Sequence, residues 1–215
     1  MFWRRRRMIF LCSAIEMPSA SDILILSYGS TETPFRNIPE PWNNRIIRAD
    51  QYSLQDVLTS EIRAILIPMH VDQRFLAGHA ALLEHYVLSG GRMVVNGHVL
   101  YPFVPDLEVF KPLPRYRIDD LHIAPLTLHP VWDGIDIPAL TFRKGVAGFY
   151  GRGYHTPPPQ GTVINTIGPE KYPVDCVYSH GAGEILVHAG NDLWSFVSED
   201  GSPRLALQLL NWVGR

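Results

Sequence analysis

Between Ile62 and His98 an apolar strand, a short polar turn, an amphipathic helix and a second apolar strand follow one another without interruption, the pattern of a strand-helix-strand crossover. Ala64-Ile65-Leu66-Ile67-Pro68-Met69 is a continuous aliphatic run of the kind buried on both faces of a parallel sheet, and His70 stands at its end. Leu76, Ala80, Leu83 and Val87 then repeat at helical spacing, and Gly90-Gly91 predict where that helix stops. Met93-Val94-Val95 is the second strand. It delivers Asn96, Gly97 and His98 to the carboxyl edge of the sheet, where open α/β folds bind their ligands. Crossovers of this kind are right-handed, so His70 and His98 are expected on the same edge.

The same alternation extends on both sides. Ile23-Leu24-Ile25-Leu26 reads as the first strand and ends in the small polar loop Ser27-Tyr28-Gly29-Ser30, followed by Thr31, Glu32 and Thr33. That loop lacks the spaced glycines of a dinucleotide fingerprint and the Gly-Lys-Ser/Thr of a P-loop. Ile46-Ile47 reads as a short strand and Leu54 to Leu58 as a helix. After His98, Pro102, Pro105, Pro112, Pro114, Pro125 and Pro130 break the chain into short pieces, as in an insertion or sheet-edge region. Strands are expected at Thr162 to Ile167, Val174 to Ser179 and Glu184 to His188, the last two forming a hairpin. A closing helix takes Ser202 as N-cap and Pro203 at its first position. The predicted fold is a flavodoxin-like, three-layer α/β sandwich with a mainly parallel sheet and an antiparallel hairpin extension.

With 215 residues, 46% of them hydrophobic, the chain is large enough for one sizeable core, and residues 21–215 are expected to form a single domain. Residues 1–20 read as an extension. Arg4 to Arg7 followed by Met8 to Ile15 imitates a signal peptide, but Met8 and Met17 are also plausible starts, and an over-extended start is the preferred reading. The reading is therefore a cytoplasmic protein, with export or tethering as the alternative if residues 1–16 are a genuine signal. No other run approaches the ~20 apolar residues of a spanning helix, so a membrane partner is not expected. A net charge of -2 gives no electrostatic case for nucleic acid. Cys12 and Cys176 are too few and too far apart for a disulfide framework or a zinc knuckle.

The order of motifs resembles the trehalose-utilisation (ThuA-like) family of the class I glutamine amidotransferase-like superfamily, over about residues 22 to 213. Tyr86-Val87, Gly90-Gly91 and Val94-Val95-Asn96-Gly97-His98 are similar to that family's Tyr-Val, Gly-Gly, strand and His-containing elbow. His129-Pro130-Val131-Trp132-Asp133-Gly134-Ile135 is similar to its His-Pro-x-x-x-Gly-Leu segment. Tyr154-His155, His180-Gly181-Ala182-Gly183, and His188-Ala189-Gly190-Asn191-Asp192 with Trp194 complete the resemblance. Departures are visible: the elbow order is Asn-Gly-His instead of Ile-His-Gly, Gly151-Arg152-Gly153 stands where an acidic residue is usual, and His188-Ala189-Gly190 replaces Gly-His. The resemblance implies a protein of sugar metabolism acting on a disaccharide or an oxidised sugar derivative.

The superfamily's amidotransferases need an elbow cysteine, and no cysteine occurs between Cys12 and Cys176, which rules out glutamine hydrolysis by that route. The catalytic candidates are His98, His155 and His70, since imidazole titrates near working pH and suits general acid-base chemistry. Tyr28, Asn96, Tyr154 and Asp192 are candidates for orienting a polyhydroxylated ligand, with Trp194 or Tyr150 stacking on a sugar face. No compact His-x-x-x-His or Glu-x-x-His spacing supports a metal centre, so neither metal nor other cofactor is expected. The expected partner is a small molecule of carbohydrate type, and a homo-oligomer is compatible with the chain. The alternative is a non-catalytic scaffold that binds a small molecule or a protein through the same fold.

Overall fold

The computed structural model describes residues 22–29, 38–143, 146–196 and 202–215. The N-terminal extension, Cys12 and the Ser30 to Thr33 part of the first loop lie outside the described residues.

Aliphatic runs too short for helices form the centre of the fold. The strands of the central sheet are β1 (Ile23–Ser27), β2 (Ile46–Asp50), β3 (Ala64–Ile67), β4 (Arg92–Asn96), β5 (Ile123–Pro125), β6 (Thr162–Ile167), β7 (Tyr172–His180) and β8 (Gly183–His188). They make one eight-stranded sheet in the order β2-β1-β3-β4-β8-β7-β6-β5. The pairs from β2 to β8 are parallel; those from β8 to β5 are antiparallel. The chain is thus an α/β protein with a mostly parallel mixed sheet.

Successive side chains on a strand point to opposite faces, and here both faces are apolar. Ile23, Ile25, Leu66, Val94 and Leu186 enter one core, together with Leu205, Leu209 and Val213 of helix α5 (Arg204–Val213). Leu24, Leu26, Ile65, Ile67, Met93, Val95 and Val187 enter the other. That second core is closed by helices α2 (Leu54–Val57), α3 (Gln73–Gly78) and α4 (Ala80–Leu88), through Leu54, Leu76, Leu83 and Val87. The short helix α1 (Trp42–Arg45) leads into β2, and Arg45 forms a bidentate pair with Asp22 at 2.7–2.8 Å while donating to the Gly214 carbonyl.

Three details depart from the sequence reading. The single helix expected from Leu76 to Val87 is two, because Gly78 is a poor helix former and the His79 ring donates from Nδ1 to the Phe75 carbonyl at 2.8 Å, taking the acceptor that the His79 amide would use in a continuous helix. Helix α5 starts at Arg204 with Pro203, not Ser202, at the N-cap position. The proline-punctuated region supplies the edge strand β5, which ends in Pro125; proline is tolerated there because an edge strand has no second neighbour to receive its missing N–H.

Candidate functional site

The chain passes from β1 outward to β2 and then crosses to β3 on the other side, so strand order reverses between β1 and β3. The crevice outside the carboxyl ends at such a reversal is where open α/β sheets take ligands. The segments leaving β1, β3, β4 and β8 carry Tyr28, His70, His98 and Asp192 to that edge.

Local chemistry draws these exits together. Gly97 has φ +97°, and a Cβ there would lie 2.6 Å from Met69 Cβ and 2.8 Å from its Cα, so only glycine lets the end of β4 press against the exit of β3. The Gly97 amide donates to the His188 carbonyl at 2.9 Å, tying β4 to β8. Asp192 Oδ1 accepts from the Met69 amide at 2.7 Å, tying the exit of β8 to that of β3. Gln73, the first residue of α3, donates to the His98 carbonyl and accepts from the Leu100 amide, both at 2.8 Å.

His98 is half-buried, its ring stacked on Phe110 with centroids 3.8 Å apart and planes at 18°. Burial, then the positive charges available to His155, His188 and His70, push its pKa below the ordinary imidazole value. It is therefore a neutral acceptor at neutral pH. His70 is exposed, with Tyr28 edge-on to it at 5.6 Å. Asp192 is shifted the other way: burial raises its pKa, opposed by the Met69 hydrogen bond and by His70 and His188. One edge thus holds an imidazole and a carboxyl whose environments each favour the neutral form.

The remaining sequence candidates have other surroundings. His155 is 1% exposed. Its Nδ1 donates to the Glu108 carbonyl at 3.0 Å, and in the neutral ring favoured by burial its Nε2 accepts from the Val99 amide at 3.4 Å, with the Gly97 carbonyl 3.2 Å away. Beneath the edge it braces the segment that carries His98. Asn96 is buried, donating to the Ile67 carbonyl and accepting from the Leu193 amide. Tyr154 stacks on Tyr172 at 4.4 Å on the antiparallel side of the molecule. Trp194 and Tyr150, expected as stacking surfaces, are buried in the core instead, Tyr150 completely.

Sequence reading did not find a fully enclosed polar cluster on the β7–β8 hairpin. In the β7–β8 register Asp175 faces His188, both 0% exposed, and Asp175 Oδ1 accepts from His188 Nδ1 at 2.6 Å. Asp175 Oδ2 accepts from the Tyr150 hydroxyl at 2.6 Å and from Asn165 Nδ2 at 2.8 Å, while Trp132 Nε1 donates to the Tyr150 oxygen at 2.9 Å. His188 Nε2 is buried and has no hydrogen-bond partner among the described residues. Gly190 permits this enclosure: it bridges to Gly151, and a Cβ on it would run into the Tyr150 carbonyl oxygen. The available signal was an acid and an imidazole in the two strands of one hairpin, thirteen residues apart.

Cys176 lies in β7, 2% exposed, with its thiol pushed well up by burial, and so offers no thiolate. Among the described residues no cluster of three or more His, Cys, Asp or Glu is arranged to hold a metal ion. No described helix is long and apolar enough to cross a membrane.

This geometry defines an α/β protein with a histidine- and carboxyl-bearing strand edge. No protein-family model matches the chain, and no curated protein matches it in sequence. Among solved structures it is similar to the cytoplasmic protein STM3548 from Salmonella typhimurium, with 12% identity over 78% of this chain and 80% of that one, at a TM-score of 0.50. It is also similar to the cytoplasmic protein STM1381 from Salmonella typhimurium LT2, with 11% identity over 90% of this chain and 95% of that one, at a TM-score of 0.51. At these identities the likeness is one of fold.

Proposed function

We propose that this chain is a cytoplasmic, ThuA-like protein of the class I glutamine amidotransferase-like superfamily, a single flavodoxin-like three-layer domain from residue 21 onward, whose carboxyl sheet edge takes a small carbohydrate or oxidised sugar derivative. The observation that carries this reading is the convergence of the β3, β4 and β8 exits, locked by Gly97 against Met69 and by Asp192 on the Met69 amide, which sets His70, His98 and Asp192 along one edge. His98, whose burial favours the neutral ring, accepts a proton from a ligand hydroxyl or an adjacent carbon, and Asp192 orients the ligand. His70 and Tyr28, exposed on the β3 and β1 exits, contact and orient the ligand. His155 acts through His98 as a positioning residue. The strand order and the likeness to two cytoplasmic proteins of Salmonella typhimurium support this reading.

A second reading, a non-catalytic binding scaffold of the same fold, is favoured by the structural employment of Asn96, His155 and Trp194, which leaves fewer side chains for chemistry. A thermal-shift series on the full chain with disaccharides and keto-sugars, repeated with His98→Ala, separates the two. The proposed function predicts a rise of about 5–10 °C at a hundred times the dissociation constant, lost in the variant. No shift with any sugar, in a protein that melts cooperatively, favours the scaffold.

A further inference from the structure

A side chain that exchanges a proton with a ligand needs a fixed orientation, and in nucleophile–base pairs a third group supplies it through a hydrogen bond. His98 is held differently. Its carbonyl accepts from Gln73, but neither of its ring nitrogens has a hydrogen-bond partner among the described residues. His155 is the contrast, with backbone groups on both ring nitrogens.

What lies against the His98 ring is Phe110. The two planes are 18° apart and the centroids 3.8 Å, so one face of the imidazole is covered. Phe110 is itself fixed from several sides. Its amide donates to the Val99 carbonyl at 2.8 Å, which folds the segment leaving β4 back onto its own start. The next residues, Lys111 and Pro112, pair antiparallel with Tyr154 and Gly153. Gly153 is buried, and a Cβ on it would overlap the outer edge of the Phe110 ring and the Lys111 carbonyl oxygen, so the absence of a side chain there seats the ring. The His155 ring stands against Phe110 at 5.6 Å and 64°. A flat ring held in this way is a rigid surface, and stacking on it leaves its partner few rotations.

We propose that Phe110 is a positioning residue of the sheet edge: by stacking, in place of a hydrogen bond, it sets the plane of His98 and leaves both ring nitrogens to the ligand. This role rests on the reading of His98 as the group that meets the ligand. In a neutral imidazole one nitrogen donates and the other accepts, and with no protein group on either, the ligand selects which does which.

The test labels the full chain with ¹³C at the Cδ2 position of its histidines and reads the relaxation order parameter of each ring, with no sugar present. His98 is expected near ~0.85, the value of rigid backbone. Phe110→Leu keeps an apolar side chain at the position and removes the flat face; it is expected to lower the His98 value below ~0.6 and to leave His155, with its own hydrogen bonds, rigid. Gly153→Ala, which displaces the Phe110 ring without altering it, is expected to loosen His98 in the same way. The proposal is overturned if His98 is mobile in the parent chain, if it stays rigid in Phe110→Leu, or if His155 loosens with it in that variant, since Phe110 would then serve packing alone. Should one variant fail to fold, the other decides. A sugar series that leaves His98 unmoved would remove the proposed function without changing this result, because the ring is read in the free protein.

Discussion

Individual positions here answer to sharply different constraints. Gly97 combines a positive φ with a 2.6 Å approach to Met69, so Gly97→Ala must relieve both backbone strain and a steric clash. It is expected to cost about 3 kcal/mol, read from the midpoint of a urea titration, and to displace the His98 segment. His98, His155 and His129 all have depressed pKa values, with burial as the first cause in each. Their unfolded forms therefore bind protons at a higher pH than their native forms. The unfolded state gains protons first as pH falls through about 6.5, so these groups contribute stability at neutral pH that is lost on acidification. Denaturant titrations at pH 7.5 and 5.5 should show a lower free energy of unfolding at the acid pH, with a smaller difference in His155→Gln. Asp192 has the opposite sign, since its raised native pKa favours the native state only while the carboxyl is protonated. Asp192→Asn keeps an acceptor for the Met69 amide and removes a buried charge, so it should melt no lower than the parent at pH 7.

At the scale of elements, legibility followed locality. The β3 to β4 crossover and β6 were readable because an aliphatic run between turn residues has few alternatives, and β6 was placed to the residue. The α3/α4 break was not readable, because it depends on a side-chain hydrogen bond that hydrophobic periodicity does not record. Strand β5 was missed because three residues ending in proline carry too little pattern. The exits bearing Tyr28, His70, His98 and Asp192 were visible as strand ends, whereas the burial of Trp194, Tyr150 and His155 depends on long-range packing that a single sequence does not record. The Asp175–His188 pair depends on the β7–β8 register and on Gly190, neither of which a single-sequence reading resolves. That pair makes a demand on the hairpin. Asp175→Ala strips partners from His188, Tyr150 and Asn165 together and should cost about 3–5 kcal/mol in chemical denaturation, while Asp175→Asn should cost less.

For the whole molecule, the sheet joins two tasks. Its parallel strands, buried on both faces, form a rigid centre, and their carboxyl ends present the His98 edge; the antiparallel strands carry the Asp175 network. Native-state hydrogen exchange should therefore protect β1, β3, β4 and β8 most strongly, with the edge strands β2 and β5 exchanging faster. Equal protection across the eight strands would contradict a centre built on β3 and β4. The claim that joins fold to function is that His98 remains neutral at neutral pH because of where the sheet places it, and that this same ring meets the ligand. An NMR pH titration of the His98 imidazole, alone and with the disaccharide and keto-sugar set, tests both parts at once. The account predicts a midpoint below the ~6.5 of a free imidazole and a further displacement when a sugar binds. A midpoint at or above that value, unmoved by every sugar, would contradict it.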